Sequence, residues 1–269
     1  PPAVQAALLR VVLERVVGEL ELPPHVRVVA IANAADQVGG WELSLPLSNR
    51  FFHISAEAPS VKEWTTGFQD GWKMPAKAPS LGKQTKNGAS AKSLICGFLT
   101  ARPGLILQVP KEDSKNRDAW PSPRSWDNAS RLLDYGLGER SEVIHTLLAG
   151  TVGHGPGTEF MAWFKQLDLP DPAYLLEHPR KFKVPEKLDS VFVVLDGVST
   201  LAVNIIAQND QHGPGAWDAA WQIINAVCEA DMQDVALSAA KKLANARKPE
   251  FTLPHKTLKH FGDILAGME

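Results

Sequence analysis

The chain has 269 residues, of which 44% are hydrophobic, so it can bury a core in one large domain or two smaller ones. Its 28 Lys and Arg residues against 30 Asp and Glu residues give a net charge of -2, which provides no general attraction to nucleic acid or to an anionic membrane. No apolar run reaches the roughly 20 residues of a membrane span and no signal-peptide pattern is present, so we expect a cytoplasmic protein.

The first 56 residues mix helix and strand patterns. Apolar residues recur at helical spacing over 3–17, residues 16–22 alternate as a short hairpin arm, and residues 28–33 are apolar or small up to the amide of Asn33. The last run favours a strand buried on both faces of a parallel sheet, with Asn33 at the carboxyl edge where ligands bind. Arg50 precedes a second predicted strand at 51–54. Taken alone, Asn33 could cap a turn and Arg50 could belong to a surface salt bridge.

From about residue 57 onward, helix patterns dominate, and we place a domain boundary there. Ser60 is a predicted N-cap, and residues 71–88 contain four lysines among Pro, Gly, Ser and Gln, which is typical of a mobile surface insertion. Further helices are predicted over 61–68, 90–101, 123–135, 139–152, 158–166, 190–209, 216–229 and 233–246. The predicted core anchors of this helical part are Phe160, Trp163, Trp217 and Trp221.

A Ser-Pro-Arg sequence begins the helix predicted at 123–135. Ser122 fits the N-cap and Pro123 fits the first helical position, which leaves Arg124 in the first turn. A cation near the positive end of a helix dipole is unfavourable by about 0.3 to 1 kcal/mol. A bound anion or a nearby carboxylate should therefore compensate for Arg124.

Other kinds of catalytic site find little support in the sequence. Cys96 and Cys228 lie in apolar, helix-like contexts without CxxC or Cys/His spacing, so we expect buried thiols. The eight histidines form no HExxH motif, and His154 and His212 each begin a His-Gly-Pro-Gly sequence that predicts a turn, so no metal site is expected. A GxSxG elbow for Ser-His-Asp catalysis is also missing.

Two segments carry a resemblance to a known family. The run from the first residue through VRVVAIAN to LPLSNRFFHI resembles the segment that follows the Walker B acidic pair in AAA+ ATPases of the MoxR and dynein-related group. The later WPSPRSW resembles the Ser-Pro-Arg sensor 2 motif of their lid domain. The resemblance covers residues 1–56 and 120–126, and it departs from the family pattern at Ala34, where the group commonly has proline.

This resemblance implies roles for three residues. Asn33 would be the sensor 1 residue that orients the attacking water, and Arg50 would be the arginine finger that reaches the γ-phosphate bound by a neighbouring subunit. Arg124 would be the sensor 2 residue that contacts nucleotide in its own chain. In the complete protein, the implied cofactors are ATP and Mg²⁺. The implied partners are further copies of the chain in a homo-oligomeric, hexameric ring and a client or partner protein with a von Willebrand A domain.

The chain lacks the phosphate-binding half of such an ATPase. It contains no GxxxxGK[ST] sequence and no apolar strand ending in an Asp-Glu pair, so alone it should neither bind ATP tightly nor hydrolyse it. We therefore expect an α/β remnant of a P-loop AAA+ core over 1–56, followed by a larger all-α lid and C-terminal helical region over 57–269. The chain would be the C-terminal portion of a MoxR-like AAA+ ATPase that remodels or matures a partner protein. The alternative is a non-catalytic helical interaction module that retains a remnant of the ATPase fold.

Overall fold

The computed structural model describes residues 2–32, 43–72, 89–111, 118–208 and 211–265. Within these ranges the chain is mostly helical and contains a single two-stranded sheet. The elements are α1 (Pro2–Glu14), β1 (Val16–Val17), β2 (Leu20–Glu21), α2 (Leu45–Ser48), α3 (Val61–Asp70), α4 (Ala91–Ala101), α5 (Pro123–Gly136), α6 (Ser141–Val152), α7 (His154–Gln166), α8 (Pro172–Glu177), α9 (Leu188–Ala207), α10 (Gly213–Glu229), α11 (Gln233–Ala244) and α12 (His255–Leu265).

The predicted first helix and hairpin are both present, but the helix is shorter than expected. Helix α1 ends before Arg15, whose φ of 59° lies in the left-handed region and turns the chain into the hairpin. Strands β1 and β2 pair antiparallel, and Gly18 provides the positive φ that their tight turn requires. The guanidinium group of Arg15 donates hydrogen bonds to the carbonyl oxygens of Pro23 and Val26, each at 2.8 Å, and so fixes the chain that leaves the hairpin.

The two strands predicted at 28–33 and 51–54 do not form in the described residues. Residues 28–32 are irregular, and their apolar side chains face solvent, with Val29 79% and Ile31 95% exposed. The predicted buried strand does not form among the described residues, because a strand needs a neighbour to complete its hydrogen bonds and no described segment pairs with this one. Residues 51–54 likewise leave α2 as irregular chain.

The helical part agrees closely with its predicted elements. Helices α3 to α7 and α9 to α11 occupy the predicted regions, whereas α8 and α12 were not anticipated. The prediction of a turn at His154 is wrong, because α7 begins at that residue, whereas His212 lies in a turn and α10 begins directly after it at Gly213. Proline fits the first turn of a helix because the missing N–H has no helical acceptor there, and Gly153, with φ of 92°, supplies the turn before α7. The predicted insertion lies largely outside the described residues.

Helix α9 is the centre of the helical body. It packs against α4, α8, α10 and α11, and Val191, Val193 and Val198 are fully buried on it. By length and mean hydropathy, α9 could cross a membrane, which corrects the expectation that no segment reaches that size. However, half of this helix is buried among the other helices, as in the core helix of a soluble protein. Of the predicted core anchors, Phe160, Trp217 and Trp221 are buried and Trp163 is half-buried, so these anchors hold the same core.

Candidate anion-binding site at the start of helix α5

Helix α5 begins with the cap that the sequence predicted. The Ser122 hydroxyl accepts a hydrogen bond from the Ser125 N–H at 3.1 Å, and the Ser125 hydroxyl accepts one from the Ser122 N–H at 2.7 Å, which completes a capping box. Pro123 occupies the first helical position. Arg124 follows and is exposed to solvent in the first turn of the helix.

Asn49, the residue before Arg50, connects α2 to this cap. Its side chain is almost completely buried, with 5% exposed, and its Nδ2 donates a hydrogen bond to the Trp120 carbonyl oxygen at 3.0 Å. Its Oδ1 accepts a hydrogen bond from the Ser122 hydroxyl at 2.8 Å. We call this pair of bonds the Asn49 bridge. It joins segments 71 and 73 residues apart in the chain, and therefore fixes α2 against the beginning of α5.

The chain after Arg50 is held against α6. The His53 N–H donates to the Gly150 carbonyl oxygen at 2.7 Å, and a His53 ring nitrogen lies 2.8 Å from the Ser48 carbonyl oxygen. The Phe52 ring rests on Gly150 so closely that a Cβ added there would lie 2.3 Å from it. Arg50 therefore lies between two attachments to the helical body, the Asn49 bridge on one side and His53 on the other.

The positive charge of Arg124 acts on Arg50 in this arrangement. Arg50 is half-buried, and its pKa is lowered, first by burial and then by the positive charge of Arg124. Its Nη1 donates to the Pro46 carbonyl oxygen, while its Nε is enclosed and has no hydrogen-bond partner. Among the described residues, neither arginine forms a salt bridge with a carboxylate.

The sequence predicts that a bound anion or a nearby carboxylate compensates for the positive charge of Arg124. No described carboxylate forms a salt bridge with Arg124, and its positive charge also acts on a second arginine, Arg50. The exposed guanidinium group of Arg124 is suited to bind an anion, since a guanidinium fork matches the oxygens of carboxylates and phosphates. The site can therefore neutralise negative charge.

Asn33 lies outside the described residues, so its position relative to Arg50 and Arg124 stays a prediction. The sequence reasoning missed Asn49 and Trp120, because their partners are far away in the chain and no local pattern marks them. The Asn49 position carries one weak signal: it is an amide directly before the candidate arginine in an otherwise apolar run.

Other reactive groups lie away from this site. In the described ranges, no group of three or more His, Cys, Asp or Glu side chains is arranged to hold a metal ion. Both cysteines are free, with Cys228 buried and Cys96 half-buried, so the expectation of a buried thiol is confirmed for Cys228 alone. Burial raises the pKa of both thiols, that of Cys228 to about 11, which leaves little nucleophilic thiolate at neutral pH.

Comparison of the chain with protein-family models, with curated proteins and with solved structures found no match. The chemistry of the site is therefore the basis on which a function can be assigned.

Proposed function

We propose that this chain is the C-terminal portion of a MoxR-like AAA+ ATPase, in which Arg50 and Arg124 neutralise the phosphates of ATP. The observation that carries this proposal is that the buried amide of Asn49 fixes the segment of Arg50 against the capped helix start that presents Arg124, where the positive charge of Arg124 acts on Arg50. Arg50 and Arg124 are two of the three residues to which the family resemblance assigns a role in ATP hydrolysis.

The chemistry of phosphoryl transfer fits such a site. The reaction needs positioning and neutralisation of charge on the phosphate oxygens, and it needs little covalent help from the protein. Guanidinium groups stay protonated at neutral pH and bind two phosphate oxygens at once, so they supply this charge well. On this proposal, Asn33 orients the attacking water, and the P-loop and the Mg²⁺ ligands belong to another part of the complete protein.

The exposed apolar run at 28–32 supports the same proposal. Val29 and Ile31 are 79% and 95% exposed, and such side chains normally gain stability from burial in a sheet. In an AAA+ ATPase, this run would be a strand of the nucleotide-binding sheet, covered on both faces by neighbouring elements. On this proposal, neighbouring elements of the complete protein bury these side chains, which are exposed among the described residues.

The complete protein is then proposed to act as a ring-shaped homo-oligomer, in the cytoplasm, that couples ATP hydrolysis to the remodelling or maturation of a partner protein. A protein with a von Willebrand A domain is the partner that the resemblance favours. The oligomeric state, the location and the partner all follow from the family resemblance, and the same experiment tests them.

The experiment is to measure ATP binding and hydrolysis by the complete protein. Its coding sequence before Pro1 should contain GxxxxGK[ST] followed by an apolar run that ends in Asp-Glu. Arg124→Ala should weaken ATP binding about tenfold or more, because it removes charge-assisted hydrogen bonds to phosphate. Arg131→Ala is the matched control, since Arg131 is exposed on the same helix and pairs with Asp127 at 2.7 Å. An ATP affinity that Arg124→Ala leaves unchanged would contradict the proposal.

One observation favours the alternative, a non-catalytic interaction module. On α3, the rings of Trp64 and Phe68 stack at 4.8 Å and remain 48% and 71% exposed, which is unusual for aromatic side chains unless they contact another molecule. The two functions differ in a simple measurement. An interaction module would bind its partner without nucleotide, and its complete sequence would contain no P-loop.

A further inference from the structure

Two histidines from different helices, His145 of α6 and His154 at the start of α7, lie together on the surface of the helical body. Their ring centroids are 5.0 Å apart and their ring planes are inclined by 84°, so the rings do not stack face to face. We propose that these two imidazoles bind one transition-metal ion of the Zn²⁺ type. This site goes beyond the proposed function and does not depend on it.

The sharp turn between the two helices brings the histidines together. Helix α6 ends at Val152 and α7 begins at His154, and Gly153 between them has a φ of 92°, which favours glycine. The two helices approach closely one turn later, since a Cβ added at Gly157 would lie 3.1 Å from the backbone nitrogen of Ala149. Because the histidines lie on different helices, no motif such as HExxH marks them in the sequence.

The Thr158 hydroxyl shows that both rings direct a nitrogen atom toward one place. Its oxygen lies 3.0 Å from Nε2 of His145 and 3.5 Å from Nδ1 of His154. Without a metal ion, this hydroxyl can donate a hydrogen bond to one neutral ring and accept one from the other, which holds both rings in place. The same two nitrogen atoms are therefore already arranged to share a single ligand.

The dimensions of this cluster match those around a metal ion. With metal–nitrogen bonds of about 2.1 Å, two imidazoles on one ion have ring centroids about 4.5 to 5.2 Å apart for bond angles between octahedral and tetrahedral. The observed separation of 5.0 Å lies in this range. Two ligand atoms on one such ion are about 3.0 to 3.4 Å apart, close to the 3.0 and 3.5 Å from the two nitrogens to the Thr158 oxygen. The hydroxyl therefore stands at a third ligand position.

The donor atoms select the class of ion. Imidazole nitrogens suit Zn²⁺, Cu²⁺ and Ni²⁺, whereas Mg²⁺ and Ca²⁺ prefer oxygen ligands. No third His, Cys, Asp or Glu side chain of the described residues completes the site, so water would fill the remaining positions. The side chains of His154 and Thr158 are exposed and that of His145 is half-buried, which gives an ion access from solvent. A bound ion would tie α6 to α7 and stabilise the folded chain.

The test titrates Zn²⁺ into the protein by calorimetry at pH 8, where imidazole is neutral. The wild type should bind Zn²⁺ and should bind Mg²⁺ far more weakly. His145→Gln and His154→Gln should each lower the Zn²⁺ affinity at least about tenfold. The double variant should lose little more than either single variant, since both rings serve one ion. His178→Gln is the matched control, because His178 is exposed and its ring packs against Tyr174 at 4.8 Å.

Urea unfolding provides a second measurement. Saturating Zn²⁺ should raise the urea concentration at the midpoint of unfolding in the wild type and in His178→Gln, and should leave it unchanged in the double variant, because the ion binds the folded site. Circular dichroism checks that each variant is folded. If His145→Gln is not folded, His154→Gln, in which an exposed side chain is replaced, answers the same question.

Three results would overturn the inference: no Zn²⁺ binding, the same Zn²⁺ affinity in His154→Gln as in the wild type, or independent effects of the two histidines. Two separate weak sites would give the third result. None of these measurements involves ATP, so their failure leaves the proposed function standing, and loss of the proposed function leaves the metal site standing.

Discussion

The carboxylate of Asp196 provides a stringent prediction about stability, because it joins three helices of the core. Its side chain, on α9, is 13% exposed. One oxygen accepts hydrogen bonds from the N–H of Ser90 at 3.3 Å and from its hydroxyl at 3.1 Å, where Ser90 is the N-cap of α4. The other oxygen accepts a hydrogen bond from Lys242 of α11, whose ammonium also reaches the Thr200 hydroxyl at 2.9 Å.

The expected loss in Asp196→Ala follows from these contacts. Removing one partner of a fully buried ion pair costs about 3 to 5 kcal/mol. The Lys242 side chain is 37% exposed and can turn toward water, so we reduce the expected loss to about 2 to 3 kcal/mol. Asp127→Ala is the matched control, since the Asp127–Arg131 pair is exposed on α5 and its loss should cost less than about 0.5 kcal/mol.

The contribution of Asp196 should also depend on pH. Burial by itself raises the pKa of Asp196, but the hydrogen bond and the charge of Lys242, with hydrogen bonds from Ser93 and Ser90, together hold it below its ordinary value of 3.8. Because the folded protein holds the proton less tightly than the unfolded chain, the stabilisation is complete above that ordinary value. It is lost as the pH falls through the lower pKa of the folded state.

The assay is urea unfolding followed by tryptophan fluorescence, at neutral pH and again in acid. At neutral pH Asp196→Ala should unfold at a clearly lower urea concentration than Asp127→Ala, and this difference should shrink in acid. Equal losses in the two variants would refute the assignment of Asp196 as a buried link between helices. A loss in Asp196→Ala that is the same at both pH values would refute its ionic character.

Two further substitutions test contacts elsewhere. Gly150→Ala should lower the free energy of unfolding by about 1 to 3 kcal/mol, because its Cβ would lie 2.3 Å from the Phe52 ring and would push the segment after Arg50 away from α6. Gly155→Ala, which has open space at its Cβ, should unfold at the same urea concentration as the wild type. Thr257→Val should lower the free energy of unfolding by about 1 to 3 kcal/mol, because the fully buried Thr257 hydroxyl accepts a hydrogen bond from Asn225 at 3.1 Å and donates one to it at 3.2 Å. Urea unfolding that is the same as in the wild type would show that these two hydrogen bonds do not stabilise the fold.

Short-range patterns in the sequence were sufficient for most of the helical part. The capping box of α5 lies within four residues, from Ser122 to Ser125, so its side chains and backbone groups meet whatever the rest of the chain does. Helical spacing of apolar residues similarly located α4, α6, α10 and α11, because each buries one face along its own length. These elements could be predicted from neighbouring residues alone.

Strand formation and the candidate site depended on contacts that the sequence does not display. Residues 28–32 have a strand-like composition, yet they stay exposed and irregular since a strand is completed only by hydrogen bonds to another segment. The sequence by itself determined the cap that presents Arg124. Only the tertiary structure decided that the segment of Arg50 lies against this cap, because the buried amide of Asn49 joins α2 to α5 through partners 71 and 73 residues away.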